Sequence, residues 1–258
     1  MKQLIKDKIK ESLKKAIKDF FKNKEIKTFH VLDYIFPKER RIRSLIGGLE
    51  TSMGFVWETI AKILAESNGF EIVSEKILSP EPFPPNLRNE LDMLIAVREK
   101  DGITTLECIK RLRNAANNSN LNNLKFSKPP TGTGVDLHLR KGEIEYVFDV
   151  KTTQPNVGNF KSFNKQLLEW YTYRFAKDPN AKLEARIAIP FNPFNKDWYE
   201  KQQSKIKKCL DIERDLLVEN EFWDFCSGQS NTWEQIRELF IELGEENFSQ
   251  EFQDVFDP

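Results

Sequence analysis

An alternation of hydrophobic and polar residues on either side of Lys141-Gly142 is the feature that most constrains the fold of this chain. The pattern predicts two β-strands, over 135–140 and 145–152, joined at those two residues. Side chains alternate between the two faces of a strand, and cross-strand partners share a face. One face of this hairpin is therefore wholly apolar, and we expect it to be buried.

The opposite face of the predicted hairpin gathers charged residues. If Lys141-Gly142 is the turn, Arg140 pairs with Glu143, and Asp136, Asp149 and Lys151 all lie on this second face. The result depends on the turn, because a slip of one residue would move Asp136 to the apolar face.

Two neighbouring carboxylates repel each other, and a divalent cation removes that cost. Oxygen ligands suit Mg²⁺, and Lys151 can orient a water or stabilise a developing anion. Together with Asp136 and Asp149, these groups could hydrolyse a phosphodiester. The alternative is a hairpin with an ordinary polar outer face, since acid-x-Lys patterns arise easily in a chain with 31% charged residues.

The scarcity of cysteine and histidine narrows the choice of metal site. Three scattered cysteines and two histidines cannot supply a disulfide framework, a zinc knuckle or a His-rich site. A metal must therefore be held mainly by carboxylates, which again favours a hard cation such as Mg²⁺. We expect a reducing, cytoplasmic location and no membrane span, because no window approaches 18 uncharged apolar residues.

The net charge of zero hides an asymmetry between the two ends of the chain. Residues 1–28 hold 10 Lys and 4 acidic residues, whereas residues 211–258 hold 2 Arg and 14 acidic residues. The asymmetry fits a polyanionic partner for the basic parts. It also fits a basic start that packs against the acidic end, and both interpretations can hold together.

The remaining periodicity predicts an α/β (α+β) protein. Helices are predicted over 2–22, 52–66 (capped by Ser52), 160–176, 196–209, 212–226 and 233–243, and further strands over 91–97 and 182–189. Residues 33–43 and 79–85 are predicted connections, 103–112 fits a strand or a helix, and the asparagine-rich run 114–123 is a predicted loop.

These residues resemble the PD-(D/E)xK nuclease superfamily, whose signature is an aspartate at one strand and acid-x-Lys on the adjoining strand. More narrowly, they resemble TdeIII-type type II restriction endonucleases from about residue 45 to 200. The matching pieces are Asp136, Asp149-Val-Lys151, Ser52-Met-Gly-Phe-Val-Trp-Glu58, Gly134-Val-Asp-Leu, Phe148-Asp-Val-Lys-Thr-Thr and Ile189-Pro-Phe-Asn-Pro. One departure weakens the motif, because Val135 replaces the usual proline before the first aspartate.

The resemblance implies a restriction-endonuclease-like mixed sheet flanked by helices. It implies a single nuclease domain over 1–258, with its core at 45–200, a basic helical start at 1–28 and an acidic helical end at 211–258. Glu58, on a helix before the hairpin, would join Asp136 and Asp149 as a catalytic metal ligand.

The resemblance also implies an activity and partners. The chain would be a Mg²⁺-dependent endonuclease acting as a homodimer on a short palindrome of double-stranded DNA, of the GG-any-CC kind, alongside a cognate DNA methyltransferase. A structure-specific or repair nuclease on the same fold stays open as an alternative, as does a non-catalytic DNA-binding protein on that scaffold. Two aspartates and a lysine on one face argue against the non-catalytic alternative.

Seven residues are candidates for DNA contact: Arg111, Arg113, Lys125, Lys128, Lys161, Lys165 and Gln166. The first four flank the asparagine-rich run, and arginine and asparagine are residue types that read guanine and adenine edges. The last three begin the helix after the hairpin, although Gln166 also fits a plain surface residue, and His138 fits a supporting or surface residue better than a ligand. We expect the basic N-terminal helix and the 111–128 segment to line the DNA cleft, with the acidic end facing away.

Overall fold

The structure, a computed structural model, describes residues 1–22, 30–151, 158–192 and 209–256. Its contacts divide into two units, one formed by Met1–Asn68 with Trp223–Pro258 and the other by Gly69–Phe222. The first is helical wherever it has regular structure, and the second contains both β-sheets. No described helix has the length and apolar character needed to cross a membrane.

Seven strands are described, all in the sheet-containing unit. They are β1 (Glu71–Ile72), β2 (Ser79–Glu81), β3 (Lys125–Ser127), β4 (Leu137–Lys141), β5 (Ile144–Val150), β6 (Lys182–Ile189) and β7 (Leu216–Val218). Five of them form a mixed sheet in the order β1-β4-β5-β6-β7, and β2 pairs with β3 in a separate sheet. In the larger sheet the β1–β4 and β4–β5 pairs are antiparallel, and the β5–β6 and β6–β7 pairs are parallel.

Helices flank this sheet, as the α/β expectation requires. The described helices are α1 (Gln3–Lys22), α2 (Pro37–Ser67), α3 (Pro85–Asp101), α4 (Thr105–Asn117), α5 (Asn159–Lys177), α6 (Ile212–Asp215), α7 (Asn220–Ser227), α8 (Thr232–Glu245) and α9 (Gln253–Phe256), with 3₁₀ helices at Val31–Tyr34 and Phe248–Phe252. The mixed sheet flanked by helices is therefore confirmed, together with the predicted helices at 2–22 and 160–176 and the predicted strand at 182–189.

The hairpin turn lies one residue further along than predicted. Gly142 and Glu143 form it, and Arg140 pairs with Glu145 rather than with Glu143. Gly142 has a φ of 62°, which suits the first position of a tight hairpin turn with glycine there. The pairing differs from the predicted one by two residues, and a shift of two leaves every side chain on its predicted face.

Both faces of the hairpin are covered within the sheet-containing unit. On the apolar face, the ring of Phe148 packs against Phe222 at 5.6 Å and that of Tyr146 against Phe70 at 5.7 Å. On the other face, Val147 is fully buried in one core with residues of α5 such as Leu167. The polar face is thus largely buried as well, which makes each charged group on it costly unless it is paired.

One predicted element before the hairpin is wrong, and one open alternative is resolved. The strand at 91–97 is part of α3, whose buried Leu87, Leu91 and Leu94 recur at helical spacing. A short apolar run does not by itself distinguish strand from helix. The ambiguous 103–112 stretch also becomes a helix, α4, with the side chain of Thr104 accepting a hydrogen bond from the Glu107 N–H at 3.3 Å.

The prediction for the second helix is too short. It begins at Pro37, a position where the missing N–H of proline is harmless, so 33–43 is not merely a connection. Ser52 lies in mid-helix, where its hydroxyl donates to the Leu49 carbonyl at 2.8 Å instead of capping a first turn. The predicted asparagine-rich loop likewise begins later, because Asn114 to Asn117 end α4.

The predicted helix at 212–226 is also wrong. The buried three-residue strand β7 separates α6 from α7 and pairs parallel to β6. Three apolar residues carry no measurable period, so their partner strand decides their conformation. The predicted helix at 196–209 lies, except for its last residue, outside the described residues. The predicted connection at 79–85 contains β2.

In the helical unit, α1 packs against the acidic end of the chain. Lysines one turn apart along α1 face acidic residues of α8 and of the stretch that follows it. The pairs are Lys6–Glu238 (3.5 Å), Lys10–Glu242 (2.8 Å), Lys14–Glu246 (2.9 Å) and Lys18–Glu251 (2.8 Å). The interpretation in which the two ends pack together is confirmed. The prediction that α1 lines a DNA cleft while the acidic end faces away is wrong for these lysines.

A buried ionic network joins the helices of the sheet-containing unit. Arg98 of α3 donates to the Asp215 carboxylate and, at 2.6 Å, to the Thr105 hydroxyl, which in turn donates to Asp215 at 2.6 Å. Arg98 also lies 3.5 Å from the Asn164 side-chain oxygen of α5. Arg98 and Asp215 are both fully buried, so each depends on the other for a counter-charge.

We expect Asp215→Ala to lower the free energy of unfolding by about 3–5 kcal/mol, because it leaves the Arg98 guanidinium buried without a partner. Replacing both residues, Arg98→Met with Asp215→Leu, should cost less than the single change. Lys182→Ala is the control, since its exposed pair with Glu143 is worth at most about 1 kcal/mol. Urea unfolding followed by circular dichroism measures all three, and equal losses in Asp215→Ala and Lys182→Ala would contradict the assignment.

Candidate active site

The two aspartates of the hairpin meet at the start of β4 and the end of β5. The pairing of Leu137 with Phe148 continues outward to place Asp136 opposite Asp149. The Asp136 backbone N–H donates to the Phe148 carbonyl at 3.0 Å, and its carboxylate accepts a hydrogen bond from the Val150 N–H at 2.8 Å. Asp136 is exposed, whereas Asp149 is only 3% exposed. The site thus combines one buried carboxylate with one that faces solvent.

Lys151 completes the group from the residue after β5. Its ammonium lies 2.6 Å from Oδ2 of Asp149 and 5.5 Å from the centre of the Phe163 ring on α5. Its backbone N–H donates to the Ala188 carbonyl of β6 at 2.9 Å. The lysine is one-third exposed, so the ammonium is fixed by its neighbours and still accessible from solvent.

The carboxyl group of Asp149 is electrostatically strained. Burial raises its pKa to about 7, the nearby Asp136 adds to the increase, and the Lys151 ammonium opposes it. Oδ2 of Asp149 is buried, and apart from the ion pair with Lys151 it accepts no hydrogen bond from the described residues. A buried oxygen of this kind is a ready ligand for a cation.

The donor set fits a hard divalent cation such as Mg²⁺. Two adjacent carboxylates supply oxygen ligands, and Mg²⁺ in proteins is commonly held by one or two carboxylates, waters and substrate phosphates. Within the described ranges, no group of three or more His, Cys, Asp or Glu side chains is placed to hold a metal ion. Asp136 and Asp149 are therefore the two carboxylates that the sheet itself brings together for such a cation.

Glu58, the third predicted ligand, lies on α2 in the helical unit. Its carboxylate is 3.6 Å from the Lys62 ammonium one turn along the helix, and its side chain is only partly exposed. Its role at the metal stays a prediction, and an i,i+4 ion pair on the helix surface is the simpler alternative.

Four of the predicted DNA contacts have partners within the fold. Their partners, each a carboxylate or a carbonyl, are Glu90 for Arg111 (2.6 Å), the Ala181 carbonyl for Arg113 (2.9 Å), Glu99 for Lys161 (3.2 Å) and Glu169 for Lys165 (3.8 Å). The Arg113 guanidinium also covers the Phe175 ring at 4.9 Å. These contacts give the four side chains a structural role, and their role in DNA binding stays a prediction.

The other three predicted contacts differ from one another. Lys125 on β3 and Lys128 just after it are exposed. Gln166 is buried on α5, so its interpretation as a surface residue is wrong. Helical periodicity did not reveal this, because α5 is buried around most of its circumference rather than along a single stripe.

Sequence reasoning missed an ionic network further along the polar face. His138, buried rather than at the surface, has Nδ1 2.9 Å from the Glu75 carbonyl and Nε2 3.2 Å from the Glu145 carboxylate. Arg174 of α5 donates to the same carboxylate at 2.7 Å. The hydrogen bond with His138, followed by the contact with Arg174, lowers the pKa of Glu145 to about 2. Pairing of β4 with β5 could have suggested the His138–Glu145 contact. No sequence pattern near Glu145 indicates that Arg174, 29 residues further along, would contact it.

Comparison with known proteins identifies the class as type II restriction endonucleases. The profile of one family in that class, described as "Type II restriction endonuclease, HinfI", matches residues 1–244. The chain belongs to this HinfI family.

Curated relatives carry the same class name. The chain is 24% identical over 219 residues to the type II restriction enzyme MjaII of Methanocaldococcus jannaschii, which covers 80% of this chain and 55% of MjaII. It is 26% identical over 110 residues to the type II restriction enzyme HgiEI of Herpetosiphon aurantiacus, covering 42% of this chain and 39% of HgiEI. The match thus spans about half the length of MjaII and less than half the length of HgiEI. No solved structure matches the chain.

We expect Asp149→Asn to raise the melting temperature at pH 8 in the absence of metal. A raised pKa means that the folded state disfavours the ionised carboxylate, which lowers the free energy of unfolding. This loss of stability is fully present above pH 7 and disappears as the pH falls toward 3.8, the usual pKa of an aspartate. The neutral asparagine removes the cost, and the lost contact with partly exposed Lys151 offsets little of the gain.

Glu145→Gln, on the same strand, is the matched opposite case. A lowered pKa means that the ionised carboxylate stabilises the fold above its usual value of 4.5 and loses this effect as the pH falls toward about 2. Its melting temperature at pH 8 should therefore fall. Calorimetry of both variants tests the contrast, and a lower melting temperature for Asp149→Asn would show that Asp149 is a structural ion-pair residue.

Proposed function

We propose that the chain is a site-specific deoxyribonuclease that hydrolyses phosphodiester bonds of double-stranded DNA, with Asp136, Asp149 and Lys151 as its catalytic residues. The observation that carries the proposal is the meeting of these three side chains at one end of the β4–β5 pair, in a chain of the HinfI family. A buried carboxylate with a raised pKa beside a second acid and an accessible lysine is typical of a functional site.

Each residue has a distinct role in this proposal. Asp136 and Asp149 would hold Mg²⁺, which when bound supplies positive charge to phosphate oxygens and makes a coordinated water more acidic. Lys151 donates a hydrogen bond to the attacking water or to the anion that develops on the phosphate. Asp149 fixes the position of that ammonium through their 2.6 Å contact.

The narrower assignments rest on the motif. Asp136 and Asp149-Val-Lys151 on adjacent strands support membership of the PD-(D/E)xK superfamily. A palindromic site of the GG-any-CC kind, the TdeIII-type relationship and a cognate DNA methyltransferase follow from the sequence resemblance and stay predictions.

We expect Asp136→Ala and Asp149→Ala to abolish cleavage of a plasmid while leaving duplex affinity within about tenfold, or about 1.4 kcal/mol. Both acids hold the metal in this proposal, and neither reads bases. Glu143→Gln is the matched control, because it removes an acidic charge from the same hairpin at its exposed turn, and it should keep full activity. Gel assays of cleavage and binding check this, and normal turnover in either alanine variant at saturating Mg²⁺ would refute the assignment.

A Mg²⁺ titration of Glu58→Gln tests the third ligand. If Glu58 binds the metal, the variant should need more Mg²⁺ or cleave slower by orders of magnitude. If its only role is the contact with Lys62, activity should be unchanged and stability should fall by less than about 0.5 kcal/mol. Glu66→Gln, an exposed change on the same helix, is the control.

We further propose that the active form is a homodimer. Asp136, Asp149 and Lys151 provide one carboxylate-lysine site in the described part of each chain, and a double-strand break at a palindrome needs two cuts related by a two-fold axis. Large exposed apolar side chains at 31–36, such as Tyr34 and Ile35, are candidates for the contact. Light scattering should give twice 30.3 kDa for the free protein and that mass plus one duplex for the DNA complex, and a 30.3 kDa species that makes double-strand breaks would refute the dimer.

A further inference from the structure

A cleft of about 250 Å³ opens at Val135, the residue before the first aspartate. It is lined by Lys76, Ile77, Lys128, the 129–132 segment, Gly134 and Val135. Val135 immediately precedes Asp136, so the cleft lies at the same end of the sheet as the carboxylate pair. We name it the Lys76–Lys128 cleft.

The charge of the Lys76–Lys128 cleft is wholly positive. Its described lining contains two lysines and no acidic residue. Both lysines are exposed, and no ion pair joins either ammonium to another residue in the part of the chain that the structure describes. This distinguishes them from Lys161 and Lys165 on α5, which face Glu99 and Glu169. An anion that binds in the cleft can therefore pair with these ammonium groups without displacing an existing carboxylate partner.

A second cavity, which also borders Lys76, shows the contrast. It measures about 260 Å³, and its two arginines and Lys177 already have carboxylate partners. The pairs are Arg174–Glu145 (2.7 Å), Lys177–Glu75 (3.4 Å) and Arg140–Glu71 (3.4 Å). Positive charge is available to a ligand in the Lys76–Lys128 cleft and is largely neutralised in its neighbour.

The loop that forms the floor of the cleft is held in place. The Trp170 indole of α5, itself buried, donates to the Thr133 carbonyl at 2.9 Å. The Thr133 N–H and hydroxyl both donate to the Pro130 carbonyl, at 3.2 and 2.7 Å. Gly132 has a φ of 87°, and a Cβ added at Gly132 or Gly134 would meet nothing within 4 Å. The backbone here faces open space, where another chain can approach it closely.

We propose that the Lys76–Lys128 cleft binds a backbone phosphate of DNA next to the scissile bond, which makes Lys76 and Lys128 positioning residues for hydrolysis. The inference rests on the proposed function and adds a substrate contact, Lys76, to it. Ammonium groups and a close-lying backbone suit a phosphate, and the described lining holds no aromatic ring, amide side chain or guanidinium of the kinds that stack on or read most bases. A phosphate held here fixes the strand relative to Asp136, so the scissile phosphate lies at the carboxylate pair.

The first test measures binding of a 20-base-pair duplex in EDTA over a series of NaCl concentrations. Lys76→Ala and Lys128→Ala should each weaken binding roughly fivefold, and the double variant should lower the slope of log affinity against log salt by about 0.9, the value for one lost phosphate contact. Lys182 pairs with Ile144, at the opposite end of the β5–β6 pair from Val150 and the carboxylates. Lys182→Ala removes the same charge there and should bind like the wild type. Loss of affinity no greater than in Lys182→Ala would overturn the proposal.

The second test replaces single phosphates with uncharged methylphosphonates around a mapped cleavage site. The wild type should lose affinity at one phosphate beside the cut, and the Lys76→Ala/Lys128→Ala double variant should show no further loss there. A penalty that persists in the double variant would overturn the assignment of the cleft. If the wild type cleaves DNA in that case, the proposed function stands without this inference, and a wild type that neither binds nor cleaves duplex DNA would overturn both.

Discussion

The pairing of β4 with β5 is the constraint on which the rest of the site depends. Side chains alternate along both strands, so burying one apolar face sends Asp136 and Asp149 together to the other. Helix α5 then follows β5 and covers that second face, and its Phe163 and Trp170 contact the lysine and the loop beside the aspartates. The same pairing that builds the core thus places a carboxylate, Asp149, where it is buried beside a second carboxylate.

Two acids of β5 illustrate how a sheet can hold charge in opposite ways. Glu145 is matched by His138 and Arg174, and these partners lower its pKa. Asp149 has one lysine and a competing aspartate, and burial raises its pKa. A fully matched acid strengthens the fold, whereas an undermatched buried acid costs stability and remains free to bind a cation. The contrast separates a structural ionic network from the proposed catalytic one on a single strand.

Much of the hairpin and the meeting of its two aspartates could be predicted from the sequence, because period-two alternation and a glycine turn are local signals. Each side chain lies on its predicted face although the turn is misplaced, because the observed register differs from the predicted one by two residues. Long-range partners could not be predicted: β7 depends on β6, Arg98 depends on Asp215 across 117 positions, and Arg174 reaches Glu145 from a different element. Leu91 and its neighbours form a helix that the sequence does not distinguish from a strand, because a short apolar run carries no clear period.

In the proposed function, Asp136, Asp149 and Lys151 form a metal-dependent site for hydrolysis of double-stranded DNA. The most direct measurement is digestion of unmethylated plasmid DNA by the purified chain across a Mg²⁺ titration from EDTA upward, with a four-way junction of the same base composition alongside. We expect discrete plasmid fragments that appear only with the cation and no preference for the junction. Absence of plasmid cleavage at every Mg²⁺ concentration, or cleavage that proceeds equally in EDTA, would contradict it.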